Sequence, residues 1–117
     1  REPAPAREMI SRGVPVALAT DFNPGTSPVL SMQLVMSLAC CYLRMTPAEA
    51  LSAATLNAAY AVGRGASMGA LVPGRRASIV ILNAEDYREI AYFMGANLAW
   101  VSYKDGKVIA RDGKPTF

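Results

Sequence analysis

The sequence predicts an α/β fold, and three observations lead to this prediction. A helix-like segment, Pro5–Arg12, is followed directly by Val14–Thr20, a short apolar run that suits a strand buried on both faces. This run ends at Asp21, which begins a loop rich in turn-forming residues. From Gly69 onward, β-branched runs alternate with turn residues. A helix-then-strand unit therefore precedes a mostly β region.

The helices are predicted from apolar periodicity and from capping signals. Pro5–Arg12 carries its apolar residues on one face, and Gly13 ends it. Val29–Arg44 is apolar on most sides, so we expect a long helix packed against other elements. Thr46–Glu49 forms a capping box with proline at the first helical position, which predicts a new helix there. Thr55 is expected to cap a further helix that runs to Val62.

The β region is predicted from branched residues and turn dipeptides. Asp105-Gly106 lies between two apolar runs and is a strong hairpin signal, and Asp112-Gly113 indicates a second turn. The predicted strands are Ala77–Leu82, Trp100–Tyr103 and Val108–Ala110. Helix-forming patterns thus give way to strand and turn patterns, and this change predicts two parts, residues 1–66 and residues 67–117.

Composition excludes several classes of function. The chain has 117 residues, enough for one modest domain but fewer than the roughly 250 of a complete eight-stranded α/β barrel. Its net charge is only +3 and its basic residues are scattered, so we expect no binding to nucleic acid. The longest apolar stretch, Val29–Leu43, is interrupted by polar residues, so we expect no membrane span. The adjacent Cys40 and Cys41 suggest reduced thiols and a cytoplasmic protein.

Asp21 is the leading candidate for a functional residue. In parallel α/β folds, catalytic groups gather at the C-terminal ends of strands, where this carboxylate is expected. On local sequence alone, however, an Asp close before Asn-Pro-Gly also favours a turn, and the turn role is the commoner one. The chain contains no histidine, so any histidine partners of Asp21 would have to come from other polypeptide.

A resemblance to a known family favours the functional interpretation. Gly13–Thr26, with the sequence GVPVALATDFNPGT, resembles the last barrel strand of the imidazolonepropionase family, within the metal-dependent amidohydrolase superfamily. Met45–Gly63 is similar to the helix pair that follows the barrel in many amidohydrolases, and Gly69–Leu82 is similar to the return strand into their small β-sandwich. The resemblance covers essentially the whole chain but only the C-terminal third or so of such an enzyme. It implies a fragment of a TIM barrel, namely the last strand and following helices, plus part of a composite β-sandwich.

The resemblance also implies a function and a role for each site residue. The complete enzyme would hydrolyse 4-imidazolone-5-propanoate to N-formimidoyl-L-glutamate in histidine degradation. Asp21 would be the aspartate ligand of one Zn or Fe ion and would accept a proton from the metal-bound water. Asn23 and Gly25 would contact the product, and Thr26 would contact the substrate.

Two alternatives stay open. The chain could belong to another metal-dependent amidohydrolase, or it could be a binding or structural module derived from one that has lost the chemistry. In the preferred interpretation the partner is a small-molecule substrate, and the isolated chain is inactive because the metal histidines are missing. We also expect this chain to self-associate or to depend on polypeptide outside it.

Overall fold

The computed structural model describes residues 2–116 and contains five helices and one antiparallel sheet. The helices are α1 (Ala6–Ser11), α2 (Met32–Tyr42), α3 (Pro47–Ala54), α4 (Leu56–Ala61) and α5 (Glu89–Tyr92). The strands are β1 (Ile79–Leu82), β2 (Ala99–Lys104), β3 (Lys107–Arg111) and β4 (Lys114–Pro115). The mixed helix and strand content agrees with the predicted α/β class.

Local capping signals set the helix boundaries. The Ser31 hydroxyl accepts a hydrogen bond from the Leu34 N–H at 3.2 Å, so α2 begins after Ser31 rather than at the predicted Val29. The capping box at α3 is confirmed, because Thr46 and Glu49 each accept from the backbone N–H of the other. The prediction that Thr55 caps α4 is wrong. Its hydroxyl donates to the Leu51 carbonyl and accepts no hydrogen bond from the first turn of α4.

The sheet has the strand order β1-β2-β3-β4, and every pair is antiparallel. The predicted hairpin is confirmed: Asp105 and Gly106 have φ of +50° and +78°, the left-handed values that a tight two-residue turn requires. Asp112 and Gly113, with φ of +50° and +74°, turn the chain in the same way between β3 and β4. Short-range turn chemistry therefore sets the pairing of β2 with β3 and of β3 with β4.

The predicted strand over Val14–Thr20 is wrong for this structure, because these residues pair with no neighbouring strand. Val16, Leu18 and Thr20 are half-buried and alternate with exposed residues, as in a strand. A parallel strand, however, exists only through the ladder that it forms with its neighbours. Residues 2–116 contain no second parallel strand, so the segment stays irregular.

The buried core lies mainly between the helices. Buried apolar residues cluster where α1, α2, α3 and α5 meet, and the half-buried Val16 and Leu18 pack against this cluster. Its members are Ala6, Met36, Ala39, Met45, Ala50, Ala53 and Ile90. The fully buried Ser37 hydroxyl donates to the Ile90 carbonyl at 2.7 Å and ties α2 to α5. The segment that leads to Asp21 is thus anchored on the helical core.

Candidate functional site

The segment before Asp21 is held by α3 and α4, the second and third helices that follow it in the chain. The Leu18 N–H donates to the Ala53 carbonyl at 3.0 Å, at the end of α3. The Asn57 side-chain amide, on α4, donates to the Val16 carbonyl at 2.8 Å. Two hydrogen bonds on alternate residues therefore align the backbone that delivers Asp21.

Asn23 organises the loop that follows. Its side-chain oxygen accepts three hydrogen bonds, from the Gly25 N–H at 2.9 Å, the Thr26 N–H at 2.7 Å and the Thr26 hydroxyl at 3.2 Å. This arrangement is typical of an Asx turn, in which the side chain replaces a backbone acceptor. Of the predicted site residues, the structure thus brings Asn23, Gly25 and Thr26 into direct contact.

Ser27 closes the loop onto its own beginning. The Asn23 N–H donates to the Ser27 carbonyl at 3.0 Å, and the Ser27 hydroxyl donates to the Thr20 carbonyl at 2.8 Å. The two ends of the loop are therefore joined by hydrogen bonds on either side of Asp21.

Asp21 lies at the junction of segment and loop, in an uncommon backbone conformation. Its φ is +50°, in the left-handed region, which Asp tolerates better than most residues. Its carbonyl accepts from the Asn23 side-chain amide at 2.7 Å. Its carboxylate is exposed and takes part in no hydrogen bond or ion pair with any of residues 2–116. The backbone of Asp21 is constrained, whereas its carboxylate is free for an external partner.

The described residues do not by themselves form a metal centre. Nowhere between residues 2 and 116 do three His, Cys, Asp or Glu side chains lie close enough together to hold an ion. Burial raises the pKa of the Cys40 thiol, and the neighbouring Cys41 raises it further. A protonated thiol is a poor metal ligand. A catalytic zinc site usually needs about three protein ligands, and Asp21 offers one.

Sequence reasoning missed two residues that support Asp21, namely Asn57 and Ser27. Asn57 stands in an alanine-rich helix, and an amide at such a position is a signal that it hydrogen-bonds to another segment. Ser27 resembles the other turn residues around it, and nothing in the sequence distinguishes its role.

Comparison with known proteins gives one family match, to the model described as the amidohydrolase family, over residues 2–113. Imidazolonepropionase from Geobacillus thermodenitrificans is 55% identical over 111 residues, which are 95% of this chain and 26% of that protein. Imidazolonepropionase from Chloroflexus aggregans is 54% identical over 106 residues, which are 91% of this chain and 25% of that protein. The chain thus spans about a quarter of the length of these curated relatives.

Solved structures show the same fold. The crystal structure of Aspergillus niger ochratoxinase superposes with a TM-score of 0.72 at 32% identity, covering 92% of this chain and 24% of that one. Guanine deaminase from E. coli gives a TM-score of 0.69 at 20% identity, covering 90% of this chain and 29% of that one, and indicates the fold alone. Between residues 2 and 116, no helix is long and apolar enough to cross a membrane.

Proposed function

This chain belongs to the amidohydrolase family, and from that premise we propose that the protein containing it hydrolyses 4-imidazolone-5-propanoate to N-formimidoyl-L-glutamate. The observation that carries the proposal is the loop from Asp21 to Ser27, where a free carboxylate adjoins an ordered set of amide and hydroxyl groups. The identity of 55% to an imidazolonepropionase over 95% of the chain supports this choice of substrate. The reaction breaks a ring C–N bond by hydrolysis.

We assign Asp21 as a metal ligand and proton acceptor. The amidohydrolase family is metal-dependent, and we propose Zn or Fe as the ion. Its remaining ligands would come from polypeptide outside this chain, because residues 2–116 supply only one. Asp21 is exposed and forms no ion pair with any of residues 2–116, which supports the assignment, since a ligand that already formed an ion pair would have to break it first.

We assign Asn23 and Gly25 to the product and Thr26 to the substrate. Because the Asn23 oxygen already accepts three hydrogen bonds, the group that Asn23 can offer to a ligand is the second hydrogen of its amide nitrogen. This donor suits an anionic ligand. A Cβ at Gly25 would meet only the Asn23 oxygen, at 3.4 Å, so the glycine leaves its outer side open to a bound molecule.

We further propose a location in the larger fold for each half of the chain. In this proposal residues 1–66 form the end of the α/β barrel, with Val14–Thr20 as its last strand, and residues 67–117 form part of a composite β-sandwich. The alternating burial of Val16 and Leu18 and the four-stranded antiparallel sheet support it. The free thiols of Cys40 and Cys41 support a cytoplasmic location.

The second candidate is a non-catalytic module derived from this family. The lack of any histidine in the chain favours it as much as it favours an incomplete site. The coding sequence upstream of Arg1 separates the two. A barrel with a His-x-His pair near its start indicates the enzyme, whereas a stop codon or an unrelated domain indicates the module.

The proposed function is tested by Asp21→Asn in the full-length protein. We expect turnover of imidazolone-propanoate to fall by more than about a hundredfold with the fold intact, because an amide is a poorer metal ligand and a poor proton acceptor. Asp112→Asn is the matched control, since Asp112 has the same φ of +50° in the β3–β4 turn. Turnover of Asp21→Asn within about tenfold of wild type would contradict the assignment.

A further inference from the structure

Three side chains hydrogen-bond to the peptide groups on either side of Asp21, namely those of Ser27, Asn23 and Thr20. The Thr20 hydroxyl accepts from the Phe22 N–H at 3.3 Å, in the peptide group after Asp21. The Ser27 hydroxyl donates to the Thr20 carbonyl at 2.8 Å, in the peptide group before Asp21. The Asn23 amide donates to the Asp21 carbonyl at 2.7 Å, in the peptide group after it. The direction of a Cα–Cβ bond follows from the two peptide planes that flank it, so these hydrogen bonds set the direction in which the carboxylate leaves the backbone.

The backbone at Asp21 needs such support. A φ of +50° is unfavourable for a residue with a side chain, and it persists only where surrounding contacts hold it. The Asp21 carboxylate does not hold this backbone conformation, because it forms no hydrogen bond or ion pair with any of residues 2–116. Asp21 thus depends on its neighbours for its conformation.

Ser27 is suited to a supporting role. It is half-buried, and within the described chain its hydroxyl has the Thr20 carbonyl as its partner. Asn23, by contrast, belongs to the proposed ligand set. Ser27 can therefore be altered without removing a group assigned to metal, substrate or product.

We propose that Ser27 is a positioning residue for Asp21, holding the preceding peptide group so that the carboxylate points into the active site. The inference rests on the proposed function of Asp21. Groups that hydrogen-bond to metal ligands typically change metal affinity or activity by about 10- to 100-fold when they are removed, and Ser27 would act in the same way through the backbone of Asp21.

The test compares Ser27→Ala with Ser27→Thr in the full-length metal-loaded enzyme. Thr keeps the hydroxyl, so we expect it to restore the properties that Ala loses. Ser11→Ala is the matched control, because the Ser11 hydroxyl also donates to a backbone carbonyl at 2.8 Å, that of Glu8, at the end of α1. The measurements are kcat, KM and the rate at which bound metal passes to a chromogenic chelator.

We expect Ser27→Ala to lower kcat about tenfold or more and to speed metal release by a similar factor, with KM nearly unchanged. Ser27→Thr and Ser11→Ala should stay close to wild type. A merely structural role would lower the thermal midpoint without changing kcat per metal-loaded site or the release rate, and that result would overturn the inference.

The two proposals fail separately. If Asp21→Asn removes activity while Ser27→Ala has wild-type kcat and metal release, only the positioning role is wrong. If Asp21→Asn stays active, the proposed role of Asp21 is wrong and the role of Ser27 falls with it.

Discussion

At the scale of single residues, the polar groups of the Asp21 loop differ in the hydrogen-bond donors and acceptors that they leave for a ligand. The Thr26 hydroxyl donates its hydrogen to the Asn23 oxygen at 3.2 Å and keeps its lone pairs for a ligand. Thr26 is exposed, so a ligand can reach this oxygen. Its proposed role is therefore that of an acceptor, beside the donor offered by Asn23.

We predict that Thr26→Val has a milder effect than Asp21→Asn. Loss of one neutral hydrogen bond costs about 0.5 to 1.5 kcal/mol, which corresponds to roughly a twofold to tenfold fall in kcat/KM. Thr26→Ser keeps the hydroxyl and should remain close to wild type. Steady-state kinetics of the full-length enzyme check this, and unchanged kcat and KM for Thr26→Val would remove Thr26 from the site.

The grouping of the candidate site residues was predictable, but the geometry that supports them was not. Asn23, Gly25 and Thr26 lie within four consecutive residues of a turn-forming sequence, so their proximity follows from chain connectivity. The backbone beside the left-handed Asp21 is instead hydrogen-bonded by the hydroxyl of Ser27, which donates to the Thr20 carbonyl seven residues earlier in the chain. Side-chain orientation across a loop leaves no periodic signal in the sequence.

At the scale of the elements, Glu49 joins two helices. One of its carboxylate oxygens accepts from the Thr46 N–H at 2.8 Å and closes the capping box of α3. The same carboxylate binds the Arg7 guanidinium of α1 through two hydrogen bonds, of 2.7 and 2.9 Å. The hydrogen bond from Arg7, followed by that from Thr46, lowers the pKa of Glu49 from 4.5 to about 2.

We predict that the stability contributed by Glu49 is lost in acid. Because its pKa is lowered by folding, its contribution is complete above the ordinary pKa of 4.5 and disappears as the pH falls toward about 2. Glu49→Gln should therefore lower the thermal midpoint at neutral pH, and its difference from wild type should shrink below pH 4.5.

Thermal melts of both proteins across this pH range provide the measurement. Glu8→Gln is the control, since the Glu8–Arg12 pair is largely exposed and caps no helix, and such pairs contribute little. If the difference in thermal midpoint between wild type and Glu49→Gln stays constant from neutral pH into acid, the predicted link between protonation of Glu49 and stability is contradicted.

Elements that depend on local chemistry were predicted well, and the element that depends on distant partners was not. The capping box at Thr46 and the Asp105-Gly106 hairpin each need only a few neighbouring residues, and both formed as predicted. The short α5 escaped prediction because four residues carry no periodic pattern. Val14–Thr20 has the composition of a buried strand, but the ladder that makes a strand is a property of the whole sheet.

At the scale of the whole molecule, much apolar surface lies uncovered. Leu30, Leu71 and Tyr92 are 76%, 79% and 80% exposed. The buried cluster, in contrast, consists largely of alanine, which removes little apolar area from water. Such a surface favours contact with further polypeptide, either other parts of a longer chain or other copies of this one.

We predict that the chain of residues 1–117 on its own neither retains a catalytic metal nor hydrolyses imidazolone-propanoate. We also predict that it self-associates. Within the described residues the one proposed ligand is Asp21, and about two more would be needed. Metal analysis after dialysis, a turnover assay and sedimentation of the purified chain test the three parts. Stoichiometric Zn or Fe together with turnover that tracks the metal would contradict the first two. A monodisperse monomer would leave those standing and overturn the third, because the exposed apolar residues would then be tolerated in water without a partner.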